Sequence, residues 1–459
     1  MKKINYISIA FIFLIGLASQ AQTKAWTLEE CVRYAIKNNI SIKNTELDTL
    51  SANIDKRGAF GNFLPSLNSN SSHSWNIGLN TDPVTNVKRN QTTQYTSIGA
   101  GVGFDIYKGM QNQNTLRRAN LSIVASKYKL VKMQEDIALN VANAFLQVLF
   151  NKENLKVQQE QLAINEKQYT RSEELVKAGS IPRGDLLDVK ATVATNKQNV
   201  ITAENSLLIS KLSLAQLLQL KEFWDFDVID DTNINDENNI MSVKPIDIYA
   251  KAKETRTVLK IAQTNLEIAQ KNVAIAKGGF QPTLQGFYNF NTQISYADVI
   301  AFDGNGNVIG TKAADPFTEQ FKNNRGQSFG AQLSIPIFNG WSVRNNVERS
   351  KVDLEKSKIA LEKEDLDLQR NVYTAFTDAK GAMNAHESAI IALESRDEAY
   401  NYAKEKYAVG LMNSFDFNQS QTLLTNAQSE VIRTKYDYIF KIKILEFYFG
   451  IPIDQIMKK

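Results

Sequence analysis

The chain has 459 residues, with 53 Lys and Arg against 49 Asp and Glu and a formal net charge of +4. So small a net charge gives no support for a nucleic-acid partner or for an acidic substrate. The single cysteine, Cys31, has no partner for a disulfide within the chain.

The first 21 residues are predicted to be an export signal. Lys2 and Lys3 precede an apolar stretch, residues 7–17, that is too short to cross a bilayer. Ser19 and Ala21 are small residues of the kind that a signal peptidase reads, so the mature chain is predicted to be 22–459. No other segment holds eighteen consecutive apolar residues, and no transmembrane helix is predicted.

The mature chain is predicted to begin with a helix, Trp26–Arg57, whose start carries a capping box of Thr27 and Glu30. The hydrophobic period then changes to two, which indicates β-strands at 63–79 and 92–108. Each strand sorts apolar residues to one face and small polar residues to the other, as strands of a membrane barrel do. The apolar face of the second strand is Ile98, Ala100, Val102, Phe104 and Ile106.

A long helical hairpin follows. Apolar residues recur every seven positions from about Met110 to Lys177 and again from Asp185 to Leu220. At about 1.5 Å per residue, the first helix is roughly 100 Å long. Between the two helices, Gly179 suits the left-handed residue that ends a helix, and Pro182 prevents continuation. The sequence therefore predicts a sharp tip.

The same pattern occurs twice. Gly179 matches Gly410 without insertion or deletion (410 − 179 = 231), and the heptads around them match as well. In the second half we predict a helix, Pro245–Lys277, strands at 282–296 and 327–339, and a second long hairpin. The chain is interpreted as an internal duplication, with repeat 1 at about 22–222 and repeat 2 at about 245–459.

The loop between the third and fourth strands contains Asp303-Gly304-Asn305-Gly306-Asn307. Alternating oxygen-bearing side chains are typical of calcium loops, but Val308 and Ala314 stand where such a loop needs Gly and a bidentate Glu. A surface loop of tight turns is the better interpretation.

Several aromatic residues lie near the ends of the predicted strands, where barrel proteins carry interfacial girdles. The ordinary preference of strands for aromatics is the alternative explanation. The residues are Trp75, Tyr95, Tyr107, Tyr288, Tyr296 and Trp341.

Four strands per chain cannot close a barrel, and an open sheet edge is not tolerated in lipid. The barrel must therefore be shared, and two, three or four chains would give eight, twelve or sixteen strands. The heptad stripes of the helices are narrow and predict a supercoiled single-layer wall below the barrel.

These features together resemble the TolC-like outer membrane efflux protein family over the whole mature chain. The resemblance rests on the duplication, Phe63-Leu64-Pro65, Phe280-Gln281-Pro282, Phe338-Asn339-Gly340 and above all Val409-Gly410-Leu411. It implies a mainly α fold with a membrane β-hairpin pair: a homotrimer with a 12-stranded β-barrel and a long periplasmic coiled-coil tunnel. It also implies an exit duct in contact with outer membrane lipid, a periplasmic membrane-fusion adaptor, and an inner-membrane pump or ABC exporter as in type I secretion.

The resemblance assigns the adaptor-docking role to the two hairpin tips. The residues are Gly179, Ser180, Val409, Gly410, Leu411 and Met412. Exposed apolar residues at a tip favour a buried contact with a partner. The alternative is that Val409, Leu411 and Met412 pack within their own hairpin.

The resemblance also places a periplasmic gate beside the second tip. Tyr407 is expected to bond to Asp185, and Asp416 is expected to narrow the entrance. A second acid of the family is here Gln419, and a tip Arg is here Met412, so a ring of three carboxylates and a weaker lock are expected. The alternative role for Asp416 is to cap the helix that follows the tip.

Two other classes of protein were considered. An enzyme is disfavoured, because the two histidines, His73 and His386, lie in separate elements and no HExxH, GxSxG or P-loop motif occurs. No cofactor or metal site is expected. A periplasmic coiled-coil scaffold or adhesin would explain the helices but not the four sorted strands.

Overall fold

The structure is a computed structural model that describes residues 25–81, 88–90, 92–230 and 240–451. The predicted signal peptide, residues 1–21, lies outside these residues. Within the described part of the chain, no helix is both long and apolar enough to cross a membrane.

The described chain is mainly helical, with two β-hairpins. The helices are α1 Leu28–Asn38, α2 Ile40–Gly61, α3 Gln111–Lys177, α4 Arg183–Leu218, α5 Pro245–Thr255, α6 Thr257–Gly278, α7 Phe317–Asn323, α8 Ser342–Ala408 and α9 Ser414–Phe449. The strands are β1 Ser66–Asn76, β2 Leu79–Thr81, β3 Lys88–Asn90, β4 Thr93–Lys108, β5 Thr283–Ser295, β6 Val299–Phe302, β7 Val308–Lys312 and β8 Gly326–Ser334.

The two halves of the chain contain helices of the same lengths in the same order. Helices α1 and α5 have 11 residues each, and α2 and α6 have 22 each. The long helices α3 and α8 have 67 residues each, and the returning helices α4 and α9 have 36 each. Each main hairpin carries a short two-stranded ladder in its loop, β2-β3 in the first and β6-β7 in the second. Among the described elements, α7 is present only in the second loop, which is the longer one.

The predicted first helix is two helices in the structure, and so is its copy in the second half. Asn39 is extended (ψ 131°) between α1 and α2; its side-chain amide donates to Leu217 O at 3.0 Å, and its Oδ1 accepts from Ser41 N at 2.9 Å. At the matching position, Arg256 is extended between α5 and α6, and its guanidinium lies 3.9 Å from the centre of the Phe447 ring. Contacts with a distant helix fix both breaks, so the expectation of one continuous helix was wrong. The capping box of Thr27 and Glu30 is present as predicted.

The main sheet has four antiparallel strands in the order β1-β4-β5-β8. Its register brings Leu67, Val102, Tyr288 and Phe329 into one row across the sheet, and all four lie on the apolar face. The opposite face carries mainly Asn, Ser, Gln and Gly. Strands β1 and β8 are the two edges, and β8 ends two residues before Pro336, which has no amide hydrogen.

The aromatic residues near the strand ends are divided between the two faces. Tyr107 and Tyr288 lie on the apolar face. Trp75 and Tyr296 lie on the same face, where both contact the His73 ring, with 4.2 and 5.7 Å between the ring centroids. Tyr95 is paired with Ser74 and lies on the polar face, so its assignment to a girdle was wrong.

The chain divides into two compact units. The sheet unit lies within residues 49–126 and 262–360 and holds all the strands that the structure describes. Its helix α7 is joined to β5 by hydrogen bonds such as Asn324 Nδ2 to Gln293 O at 2.7 Å. The described part of the helical unit consists of residues 25–48, 127–230, 240–261 and 361–451. It holds the cores and both hairpin tips.

The helical unit has two apolar cores, and α9 contributes to both, with Tyr436 and Ile439 in the first. The first is formed mainly by α1, α3 and α4 around Phe145 and Leu214, and the second by α5, α8 and α9 around Val372 and Leu445. The connection predicted at 223–244 packs beside the first core, where Trp26 and Val228 form a short parallel bridge. Although burial raises the pKa of Asp227, hydrogen bonds from two lysines, Lys152 and Lys211, hold it below its ordinary value. Residues 231–239 lie outside the described chain.

Candidate functional site

The first hairpin tip is a left-handed helix end. Gly179 has φ +73°, Ser180 N donates to Leu175 O at 2.8 Å, and Gly179 N donates to Val176 O at 3.0 Å. These two hydrogen bonds define a Schellman motif. Helix α4 then begins after Pro182, without a side-chain cap.

The second tip has the same turn with a different start to its second helix. Gly410 has φ +76°, Leu411 N donates to Lys406 O at 2.9 Å, and Gly410 N donates to Tyr407 O at 3.2 Å. Asn413 caps α9, because its Oδ1 accepts from Asp416 N at 2.8 Å. The Asp416 carboxylate accepts from Asn413 Nδ2 at 2.9 Å. Asp416 therefore supports the cap, but Asn413 is the capping residue.

Three apolar side chains at the second tip are largely exposed. Val409 is 69% exposed, Leu411 78% and Phe415 70%, whereas Met412 is half-buried. Phe415 was missed from the sequence, because it lies off the heptad stripe that contains the buried Phe417. The exposed surface formed by Val409, Leu411 and Phe415 is called the tip patch below. In the described chain these three residues do not pack within their own hairpin.

The two hairpins meet directly behind the tips. Ser414, only 3% exposed, has its hydroxyl 3.5 Å from Asp185 Oδ1 and 3.4 Å from Asp188 Oδ2. A hydroxyl carries one hydrogen, so it donates to one carboxylate at a time. Asp188 was also missed from the sequence, since its role depends on how α9 is rotated against α4. The structure thus brings two carboxylates of α4 to the first residue of α9.

Tyr407 lies on the inner side of its hairpin. Its ring stacks on Phe417 with 4.6 Å between centroids and an angle of 8°, and Tyr400 also contacts Phe417 at 5.8 Å. Burial, with a smaller effect of Asp397, raises the pKa of Tyr400, so this ring stays neutral. Among the described residues Asp185 accepts from Ser414, and a Tyr407–Asp185 hydrogen bond remains a prediction for the assembled protein.

We expect Tyr407→Phe to separate the stacking role of Tyr407 from a locking role of its hydroxyl. The phenyl ring keeps the contact with Phe417, so the melting temperature should change little. If the hydroxyl holds neighbouring hairpins together, the variant should show more frequent or larger open states in single-channel recordings. Phe417→Ala is the matched control, because it removes the stacking partner and should lower the melting temperature.

Farther along the helices from the tips, polar contacts connect α9 to α3. Thr425 Oγ1 donates to Gln161 Oε1 at 2.9 Å, and Ser429 Oγ donates to Asn154 Oδ1 at 3.0 Å. A cavity of about 570 Å³ beside them is lined by amides and hydroxyls of α3, α4 and α9. This part of the hairpin contact is therefore polar, in contrast to the two apolar cores.

The Asp303 loop forms tight turns. Asp303 Oδ1 accepts from the backbone amides of Asn305 and Asn307, at 2.9 and 2.7 Å, and Oδ2 accepts from the Asn307 side chain at 3.0 Å. These donors occupy the carboxylate oxygens that a calcium ion would need. Across the residues that the structure describes, no group of three His, Cys, Asp or Glu side chains could hold a metal ion.

A sheet with one exposed apolar face, joined to two long helical hairpins, defines the class of outer membrane channels. The family described as outer membrane efflux protein matches residues 32–219 and 248–443, once in each half. The chain belongs to this family. It is a transport protein of the outer membrane that extends into the periplasm, and not an enzyme.

Individual relatives agree with this assignment. The chain is 23% identical to the outer membrane protein TolC of Escherichia coli over 445 residues, which are 96% of this chain and 84% of that protein. It superposes on the CmeC outer membrane channel of Campylobacter jejuni with a TM-score of 0.77 at 16% identity, over 92% of this chain and 85% of that one. A membrane protein of Pseudomonas aeruginosa gives 0.77 at 17% identity, over 93% and 91%.

Proposed function

We propose that the protein is the outer membrane exit duct of a tripartite efflux pump or type I secretion system, and that it works as a homotrimer. The observation that carries this proposal is the four-stranded sheet: among the strands that the structure describes, the edge strands β1 and β8 each have one side without a partner. Leu67 on β1 is 73% exposed and Phe329 on β8 is 83% exposed. Pairing β8 of one copy with β1 of the next satisfies both edges, and three copies close a barrel of twelve strands.

The helical unit also presents surfaces suited to neighbouring copies. Apolar side chains are exposed along α4 and α8, away from the two cores. They include Ile201 (57%), Ile209 (63%), Leu366 (60%), Ile391 (64%) and Tyr402 (63%). In the proposed trimer these faces pack between subunits, and the apolar face of the sheet contacts outer membrane lipid.

The tip patch is the surface proposed for the periplasmic membrane-fusion adaptor. Val409 and Leu411 flank Gly410 and Phe415 lies on the first turn of α9; their exposure favours burial in a partner. The first tip offers the polar Ser180 at the matching position, so the second tip supplies the larger apolar contact. The inner-membrane pump or ABC exporter selects the cargo, and the duct carries it outward.

The gate is proposed to lie directly behind the tips. Asp185, Asp188 and Ser414 hold the two hairpins of one subunit together, and Asp416 and Gln419 are exposed on the first turns of α9. Three-fold symmetry would bring the Asp416 carboxylates around the axis.

The channel function is tested with purified protein in planar lipid bilayers. We expect stable conductance steps, whereas a periplasmic scaffold or adhesin would give none. Ser69→Lys places a charge on the apolar face of β1, which costs about 2–4 kcal/mol at the bilayer midplane and should abolish insertion. Asn70→Lys, the neighbouring residue on the polar face, should insert normally. Equal insertion of the two variants would contradict the proposed orientation of the sheet.

A further inference from the structure

The polar face of the four-stranded sheet contains almost no charge. The only Asp, Glu, Lys or Arg residues in β1, β4, β5 and β8 are Asp105 and Lys108, although 22% of the whole chain is charged. The residues on this face are Ser66, Asn68, Asn70, Ser72, Ser74, Asn76, Thr93, Tyr95, Ser97, Gly99, Gly101, Gly103, Asp105, Lys108, Thr283, Gln285, Phe287, Asn289, Asn291, Gln293, Ser295, Gly326, Ser328, Gly330, Gln332 and Ser334. The structure describes all four strands completely.

The two charged residues neutralise each other. Lys108 Nζ lies 2.9 Å from Asp105 Oδ2, and Asp105 Oδ1 accepts from Gln285 Nε2 at 2.9 Å. The carboxylate therefore has its counter-ion within the same strand. Both residues lie at the end of β4 next to α3. The rest of the polar face is uncharged and consists of amides, hydroxyls, glycines and the rings of Tyr95 and Phe287.

The asparagine side chains lie along the sheet because glycines on the neighbouring strands leave room for them. A Cβ atom on Gly99 would lie 2.9 Å from Asn70 Oδ1, and one on Gly326 would lie 2.3 Å from Asn291 Oδ1. Such distances are too short for a real Cβ. The amides thus form a polar surface along the sheet, in which hydrogen-bond donors and acceptors lie side by side.

From this surface we infer that the barrel wall of the duct is electrically neutral and passes cationic, anionic and uncharged cargo alike. The inference rests on the proposed trimeric duct, in which the polar face lines the lumen. Rings of fixed charge in a pore favour ions of one sign and repel the other. An amide and hydroxyl lining offers hydrogen bonds to both signs, so any preference for one charge arises outside the four strands.

The inference is tested by the ratio of potassium to chloride permeability in bilayers under a salt gradient. Asn70→Asp and Asn70→Lys should change this ratio several-fold in opposite directions, because each adds unopposed charge to a neutral wall. The double variant Asp105→Asn/Lys108→Gln should leave the ratio at the wild-type value. A large change in that double variant would overturn the inference, since the sheet would then carry a net charge preference of its own.

Thiol labelling separates failure of this inference from failure of the proposed duct. Native Cys31 is fully buried, and burial, with a smaller effect of Glu30, raises its pKa to about 12, so it should not react at neutral pH. Asn291→Cys should react with a negatively charged, membrane-impermeant thiol reagent and lower the chloride permeability, whereas Phe290→Cys on the opposite face should not. Absence of any conductance would refute the duct itself. Normal conductance, with an ion permeability that does not change when charge is added at positions 70 and 291, would overturn only the inference that the luminal wall is neutral.

Discussion

Gly410→Asp is expected to abolish export while leaving the trimer and its insertion into the outer membrane intact. A side chain at this position has room, since no atom lies within 4 Å of the Cβ that it would add. The carboxylate would stand between Val409 and Leu411, which are 69% and 78% exposed and are proposed to be buried by the adaptor. Burying an unpaired charge in that contact costs several kcal/mol, which is enough to prevent docking.

Gly410→Asn is the matched control. Gly410 has φ +76°, and Asn and Asp both tolerate this left-handed conformation better than other side chains. The two variants have nearly the same shape, so a difference between them reports charge and not backbone strain. We expect Asn to retain much of the export that Asp abolishes.

Export is measured in cells that carry each variant in place of the wild-type chain, against cells that lack the chain. The deletion identifies the compounds or secreted proteins that depend on this duct, and these then serve as the cargo. Gly179→Asp at the polar first tip should have a smaller effect. Loss of the trimer in Gly410→Asp would mean that the turn is needed for folding and that the tip is not an adaptor surface.

Asp416→Asn is expected to relieve block of the pore by divalent or trivalent cations added on the periplasmic side. In the proposed trimer three Asp416 carboxylates face the axis. Two unit charges about 6 Å apart repel by roughly 0.7 kcal/mol in water and by about 3 kcal/mol at an effective dielectric constant of 20. Such repulsion favours the binding of a cation between the carboxylates. The uncharged side chains of Asp416→Asn remove the repulsion and therefore the cation site.

The structure supplies a control that the sequence did not. Because Asn413 is the capping residue of α9, Asn413→Ala should cost about 1 kcal/mol of stability and leave the cation block unchanged. Asp416→Asn should show the reverse pattern, with relieved block and a nearly unchanged melting temperature. Unchanged block together with a lowered melting temperature in Asp416→Asn would assign this residue to the cap alone.

The sequence predicted most of the long elements, for physical reasons that can be named. An uninterrupted heptad repeat ended by Gly179 and Pro182 placed the end of α3 at Lys177, where the structure has it. The break at Arg256 has no local stop signal, whereas Asn39 is a residue that favours helix caps, and its Oδ1 accepts from Ser41 N at 2.9 Å. Each break is fixed by a contact with a helix that lies about 180 or more residues later in the chain.

The hairpin tips likewise contain some residues that the sequence could identify and some that it could not. Their glycines stand out in sequence because the left-handed turn requires them, and Val409 and Leu411 are next to one of them. Ser414 and Asp188 could not be identified, since their contact depends on the rotation of two helices from different repeats. Strand alternation assigned the faces of the sheet, but aromatic character alone could not place Tyr95, which lies on the polar face.

The central claim is that each chain supplies one third of a shared barrel. The most direct test is the mass of the purified protein in a mild detergent, measured by native mass spectrometry or by light scattering corrected for bound detergent. The account predicts a single stable species of three chains, about three times the mass of the mature chain. A stable monomer, or a species of two or four chains, would contradict it.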